Sequence, residues 1–340
     1  MTYGEPITVL ISSAGRRVEL LRGFRRALEA VGAAPGRVLA TDCSWYSSAF
    51  HDADEAFLVP RLDDPEFGPR LLELCLKHDV DLLVPTIDTE LPVWVAHRDQ
   101  FAEIGTTIAL SHGDVVAIAA DKQRTHDWLV AHGFPTVEQT TPVAALADSN
   151  VWTFPLMAKP RFGSAGLGVG LVRDGEELAL VARRGHELGE IVVQRVAPGV
   201  EHTIDVLADR AGHCVCAVPR RRIEVRAGEV SKGMTVRSAV LEDLAARVCE
   251  ALPGAYGALN VQIFVDGDVD DPDNLAVVEI NARYGGGFPL SLEAGADFPH
   301  WMLEELLGLP STASPDGWRS GLVMLRYDAA VFVDEHQRRE

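Results

Sequence analysis

Short apolar runs alternate with amphipathic stretches along the first third of the chain. Thr8–Ile11, Val38–Thr41, Ala56–Val59, Leu82–Val84 and Thr107–Leu110 read as strands. Val18, Leu21, Phe24, Leu28 and Val31 recur at helical spacing after the first of them, and further helical patterns lie at about 67–78 and 89–102. Such alternation predicts an open parallel sheet covered by helices, Rossmann-like in rhythm. After Leu110 the rhythm changes. Ser111 and Asp114 predict a capped helix start, Lys122–His132 a helix that Gly133 and Pro135 stop, and 155–264 a mostly β segment. Helical spacing returns at 289–309, and 322–333 reads as one last β element. The expected class is therefore α/β and α+β. A Rossmann-like domain over 1–110 precedes a second domain over 111–310, which carries a flap subdomain at about 150–195, and 311–340 packs on it as a C-terminal β element.

Composition narrows the function. The 340 residues carry 31 Lys+Arg against 50 Asp+Glu, a formal charge of −19, and 47% of them are hydrophobic. That apolar fraction excludes disorder, and the acidic field repels nucleic acid, so an anionic ligand needs a local basic pocket or metal ions. Five cysteines without a Cys-x-x-Cys pair fit a reduced, cytoplasmic protein. Ile7–Ile11, the first apolar run, is far short of a signal-peptide core or a membrane span. The expectation is a soluble chain with no membrane partner.

Candidate chemistry concentrates in the second half. Phe154-Pro-Leu-Met-Ala-Lys159-Pro-Arg-Phe-Gly163-Ser164-Ala-Gly166-Leu-Gly168-Val-Gly170 lets backbone N–H groups approach phosphate oxygens beside a lysine. Val169–Val172 reads as a strand, so this loop joins two strands as a flap, whereas a P-loop or dinucleotide fingerprint opens a helix. Glu279 and Asn281, at i and i+2 of a strand, share one face while Val278 and Ile280 point into the core, and Arg283 continues the row. Gln262, between Val261 and Ile263, adds a third oxygen from a neighbouring strand, and hard oxygen donors of this kind suit Mg²⁺. The segment 219–237 holds six Lys/Arg against Glu224 and Glu229, a local +4 that favours an anionic substrate near Arg220 and Arg222. A solvated strand pair explains that segment equally well. Asp88, at the end of a first-domain strand, and Gly286, in the run Gly285–Gly287, border a candidate substrate pocket. Asp266-x-Asp268-x-Asp270 fails as a calcium loop for want of Gly and Glu at its sixth and twelfth positions. Ser12–Gly15 lacks the later glycines of an NAD fingerprint despite Asp42, and no His-Glu-x-x-His supports catalytic zinc.

Taken in order, Asp121-Lys122, Lys159 with the glycine flap, Gln194 to Glu201, Asn260-Val-Gln262 and Glu279-Ile-Asn281-Ala-Arg283 resemble the ATP-grasp superfamily, most closely the carbamoyl-phosphate synthase large chain group. The preceding domain looks like a pre-ATP-grasp domain. The resemblance implies that Lys122 and Lys159 contact ATP phosphates beneath Gly163, Ser164, Gly166 and Gly168, that Gln194 and Val196 line the adenine pocket, and that Glu201 holds the ribose. It implies two Mg²⁺ ions on Gln262, Glu279 and Asn281, with Arg283 facing the transferred phosphoryl group or acyl phosphate. Gln194 stands where Glu is frequent, and Asn281-Ala-Arg283 where Asn-Pro-Arg is usual. The implied activity is ligation of a carboxylic acid and an amine, both small and amino acid-like, through an acyl phosphate with release of ADP. Carboxylate kinase or carbamoyl-phosphate chemistry and a nucleotide-binding protein without turnover are the alternatives, and dimerisation is a further implication of the family.

Overall fold

A computed structural model describes residues 6–33, 35–148, 150–163, 166–188, 190–226 and 228–335. The first domain follows the expected alternation: β1 (Thr8–Ser12), α1 (Val18–Ala30), β2 (Arg37–Asp42), β3 (Glu55–Leu58), α2 (Phe67–Lys77), β4 (Leu82–Pro85), α3 (Leu91–Glu103) and β5 (Thr107–Ile108). All pairings are parallel in the order β3-β2-β1-β4-β5. The order reverses between β1 and β4, and in open α/β sheets the carboxyl ends of strands at such a point form a ligand crevice. Helix α1 packs because Leu20, Leu21, Phe24, Ala27 and Leu28 fall on one face and are buried. Phe24 is fully enclosed, worth roughly 1.5–3 kcal/mol relative to exposure.

Two helices follow, α4 (Gly113–Ala120) and α5 (Lys122–Ala131). Ser111 does not cap α4. Its hydroxyl instead donates to the Tyr256 carbonyl and accepts from the Tyr256 N–H, at 3.1 and 3.0 Å, stitching the chain to a later turn. Asp121 caps α5 by accepting from the N–H groups of Gln123 and Arg124. A small sheet then forms from β6 (Gln139–Thr140), β7 (Leu156–Pro160), β8 (Gly170–Val172) and β9 (Ile191–Arg195), in the order β6-β9-β7-β8, with α6 (Pro142–Ala147) and α7 (Gly175–Leu188) against it. The last sheet is antiparallel and six-stranded: β10 (Val200–Ala208), β11 (Cys214–Arg226), β12 (Glu229–Thr235), β13 (Gly257–Val265), β14 (Leu275–Asn281) and β15 (Val323–Leu325), ordered β14-β13-β10-β11-β12-β15. Helix α8 (Ala239–Ala251) lies between β12 and β13, and α9 (Phe288–Glu293) and α10 (Phe298–Leu306) follow β14.

Two expectations are corrected. The mostly β segment of 155–264 contains α7 and α8, because Leu178 and the Leu241, Leu244, Ala245, Val248 series supply helical apolar faces. The β element expected over 322–333 is only Val323–Leu325. It pairs along Lys232–Met234, with backbone hydrogen bonds from Thr235 to Leu322 and from Arg326 to Ser231 at its ends, and the apolar residues beyond it, Val331 to Val333, stay exposed. Two apolar clusters run through the molecule, one linking Trp94 and Phe101 to Leu244 and Ile263, the other linking Phe24 to Phe298 and Trp318. The first domain therefore rests on the large sheet through a shared core. No described helix is long and apolar enough to cross a membrane.

Candidate active site

The carboxyl ends of β1 and β4, the β7–β8 loop and one face of the large sheet enclose a cavity of about 580 Å³. Its lining contains Asp88, Lys122, Lys159, Gly163, Gly166, Gln194, Val196, Glu201, Arg220, Arg222, Gln262, Glu279, Asn281, Arg283 and Gly286. Ser164 lies outside the described residues. Gly168 does not line the cavity: its φ is +74°, and a Cβ there would stand 2.8 Å from Pro160, so this glycine shapes the base of the loop.

The loop is a hairpin, with β7 and β8 antiparallel from Leu156–Val172 to Ala158–Gly170. Arg161, just past β7, fixes its base by a bidentate pair to Asp121, both contacts at 2.8 Å, and by a further pair to Glu190. Burial alone would raise the Asp121 pKa, but the Arg161 hydrogen bonds and two helix N–H groups outweigh it and hold the carboxyl below its ordinary range. Because Asp121 also caps α5, this pair brings Lys122 beside the loop, where its Nζ donates to the Gly163 carbonyl at 2.8 Å. Burial lowers the Lys159 pKa, Glu279 and Glu201 raise it, and Lys122 lowers it, so these four charges share one space.

Strands β13 and β14 supply the oxygen donors. Gln262 stands directly across from Glu279, and Asn260 across from Asn281. Asn260, 2% exposed, accepts from Asn281 Nδ2 at 3.1 Å, which turns Asn281 Oδ1 toward Arg283 Nη2 at 3.3 Å. Val278 corrects the expected alternation. A β-bulge shifts the register so that Ile263 pairs with Val277, which leaves Val278 beside Glu279 on the cavity wall while Val277 and Ile280 fill the core. Periodicity of two cannot foresee an inserted residue.

The basic segment is not a free anion site. Arg220 and Asp205, each 2% exposed, form a bidentate pair at 2.6 and 2.8 Å, and the Ser291 hydroxyl donates to the same carboxylate. Arg222 pairs with Glu201, and Lys232 with Glu224. Asp205 and Glu201, both on β10, thus offset two of the four excess positive charges. Arg220 reaches the cavity wall as a braced strut, and burial raises the Glu201 pKa against the pull of Arg222. Gly285–Gly287 make room for arginines: a Cβ would lie 2.9 Å from Arg17 Nη1 at Gly286 and 2.2 Å from Arg220 Nη1 at Gly287. Thr86 and Glu229 also line the cavity, as does Arg17, which the sequence reading does not single out. The sequence signal that could have found Arg17 is its place directly after the β1 turn, where ligands of open sheets bind.

The donor set suits Mg²⁺ arriving with a nucleotide: one carboxylate and two amide oxygens leave positions for phosphate and water. Among the described residues no three His, Cys, Asp or Glu side chains cluster as a metal cage. Arg222 Nε and Arg283 Nε are buried without acceptors, further donors for an anionic guest. Burial pushes the Cys75 and Cys214 thiols up to about 12, which disfavours those two as nucleophiles.

Comparison with known proteins bears on this arrangement. Residues 9–109 match the PylC-like N-terminal domain, and residues 187–328 match the family described as ATP-grasp in the biosynthetic pathway with Ter operon. The chain is 22% identical over 284 residues to the 2-oxoglutarate carboxylase small subunit of Hydrogenobacter thermophilus, covering 75% of this chain and 58% of that protein. It is 24% identical over 263 residues to a carbamoyl phosphate synthase large chain of Agathobacter rectalis, covering 71% of this chain and 24% of that one. It therefore spans less than two thirds of either relative. The biotin carboxylase domain of the Hydrogenobacter enzyme, solved with MgADP and bicarbonate, superposes with a TM-score of 0.73 at 19% identity, over 94% of this chain and 74% of that one. A domain matching the PylC-like N-terminal family over residues 9–109 thus precedes a domain matching an ATP-grasp family over residues 187–328.

Proposed function

We propose that this protein is an ATP-dependent carboxylate–amine ligase. The observation that carries the reading is that one cavity places Lys122, Lys159 and the glycine hairpin opposite Gln262, Glu279 and Asn281, with Arg283 adjoining. Lys122 and Lys159 bind phosphate oxygens as point charges. The apolar wall of Met157, Val196 and Phe264 beside Gln194 receives the base, and Glu201, held by Arg222, accepts from the ribose hydroxyls. Gln262, Glu279 and Asn281 would hold two Mg²⁺ ions, which when bound neutralise charge on the phosphates. Arg283, 13% exposed and anchored by Asp88 at 2.5 Å, offers its guanidinium to charge developing on the transferred phosphoryl group.

Such a site performs phosphoryl transfer by positioning and charge, without a protein nucleophile. A substrate carboxylate oxygen bonds to the γ-phosphorus as the bond to ADP breaks. An amine nitrogen then attacks the acyl carbon, loses a proton and displaces phosphate, leaving an amide. The hairpin, braced at Arg161, closes over the cavity and keeps water from the acyl phosphate. Both substrates are small and amino acid-like on this reading.

The test is ADP release from MgATP with paired panels of small acids and amines. Release that needs both an acid and an amine, and that is lost in Lys159→Ala, supports ligation. Release with acid alone would assign carboxylate kinase chemistry, and nucleotide binding without release under any pairing would assign a binding protein.

A further inference from the structure

The arginines of the cavity wall differ in how their donors are used. Arg220 and Arg222 are bound to Asp205 and Glu201, and Arg283 donates to Asp88, to Asn281 Oδ1 and to the Tyr284 carbonyl. Arg17 is the exception. Its side chain is 19% exposed, yet it makes no hydrogen bond among the described residues, and its ion-pair partner, Glu229, stands 3.5 Å away. Glu229 is shared, since Arg326 reaches it at 3.2 Å and Arg16 at 3.5 Å. Four guanidinium groups, Arg16, Arg17, Arg283 and Arg326, thus meet two carboxylates, Asp88 and Glu229, and within the cavity wall the excess positive charge falls on Arg17, whose donors are free. The missing side chain of Gly286 leaves the space that Arg17 Nη1 occupies.

Position separates this cluster from the nucleotide end. The charges bearing on Arg17 are Glu229, Arg283, Arg326 and Asp88, whereas those bearing on Lys159 are Glu279, Lys122 and Glu201, with no member in common. Arg283 adjoins both ends, since it also contacts Asn281. The loops after β1 and β4 that carry Arg17 and Asp88 are tied together by Glu90. This buried carboxylate accepts from the Ser12 and Ser13 hydroxyls at 2.6 and 2.9 Å and from the Thr86 and Ile87 N–H groups at 2.7 and 3.1 Å. The first domain therefore presents Arg17 from a rigid frame.

We infer that Arg17 binds a carboxylate that one substrate carries in addition to its reacting group, and that Glu229 positions Arg17 for it. A guanidinium with free donors in a desolvated wall matches a carboxylate bidentately. The reacting group must lie near the donors of β14, so the anion at Arg17 is a separate one. This rests on the ligase reading and specifies its substrate class as amino acids or dicarboxylic acids.

The test is a cycle of ADP-release kinetics with MgATP. The panels are amino acids with their carboxamides and dicarboxylic acids with their monoamides, assayed with wild type and Arg17→Ala. In wild type, replacing the second carboxylate by an amide lowers kcat/KM roughly 10- to 100-fold, the scale of hydrogen bonds to a charged group. Arg17→Ala lowers kcat/KM for the acid by a similar factor, leaves the amide and the KM for ATP nearly unchanged, and Arg17→Lys recovers part of the loss. Glu229→Gln raises KM for the acid with little change in kcat. Equal use of acid and amide by wild type, or equal loss on both in Arg17→Ala, overturns the inference and leaves the ligase reading standing. Absence of ADP release with every substrate pair overturns both.

Discussion

Replacing Glu279 by Gln tests the metal assignment at its most exposed point. The substitution keeps shape and the cross-strand place opposite Gln262 but removes the one carboxylate among the three donors. Unit charges about 4 Å apart at an effective dielectric near 20 interact by about 4 kcal/mol. A divalent ion doubles that figure and desolvation returns part of it, so a net loss of about 4 kcal/mol, close to 10³ in kcat/KM, is the expected scale. A second readout comes from Lys159, whose pKa burial lowers and Glu279 raises. Without Glu279 it falls further, and the lysine loses its proton at a lower pH. Fluorescent ADP titrated without metal across the alkaline range should therefore bind with its upper pH limb displaced downward in the variant. Steady-state ADP release against Mg²⁺ concentration supplies the first measurement. Wild-type turnover at ordinary Mg²⁺, or an unmoved alkaline limb, refutes the placement of Glu279 between metal and lysine.

Arg283→Ala should lower kcat by about 10²–10³ with a small change in ATP affinity, the scale for losing one preorganised donor to developing charge, and an effect confined to ATP affinity contradicts that role. Gly287→Ala should destabilise the protein by about 3 kcal/mol or more in urea unfolding. Its Cβ would meet Arg220 Nη1 at 2.2 Å and Val230 Cγ1 at 2.6 Å, and Arg220 can retreat only by breaking its buried pair with Asp205. An unchanged unfolding midpoint would show that Arg220 is not locked. Asp121, held below its ordinary range, stabilises the hairpin base above the unfolded carboxyl value of about 3.9 and loses that contribution as pH falls through its lower folded value. Proteolytic cleavage of the hairpin should consequently be flat from pH 7 to about 5 and rise only in stronger acid, whereas Arg161→Ala should raise it at neutral pH. Bound nucleotide should protect the hairpin at neutral pH, and equal cleavage with and without it would contradict closure.

What the sequence made legible was chemistry whose partners lie close along the chain. The glycine hairpin could be read because strand residues flank it directly, and Glu279 with Asn281 because a spacing of two fixes a shared face. Pairings across distance were hidden. Arg220 looked like a free cation in a run of arginines, and only the β10–β11 register, which sets it beside Asp205, turns it into a strut. Gly285–Gly287 could be read as bordering a pocket, and they do line the cavity, but the side chains that crowd Gly286 and Gly287, among them Arg17, Glu229 and Arg220, come from distant parts of the chain.

The bulge at Val278 shows why the readings that fail lie at the site itself. Regular alternation would carry the core through Ile280 and Val278 and turn Val277 to the cavity. The inserted residue instead lets Ile280 and Val277 both enter the core, three positions apart, while Val278 and Glu279 stand together on the wall. The core face of β14 is satisfied from both sides of the insertion, so the irregularity is confined to the face that binds. A fold can accept a broken period there because the apolar set still closes, and the local break is what places an apolar side chain next to the Glu279 carboxylate, a pairing that suits the flat base and charged tail of the nucleotide proposed to bind there. Deleting Val278 should therefore leave Glu279 and Asn281 in register with Gln262 and Asn260, keep Val277 in the core opposite Ile263, and remove only the apolar side chain beside Glu279 on the cavity wall. The expected result is weaker nucleotide binding with little change in the urea unfolding midpoint, and a variant that bound nucleotide like the wild type would show that the bulge is incidental to the site.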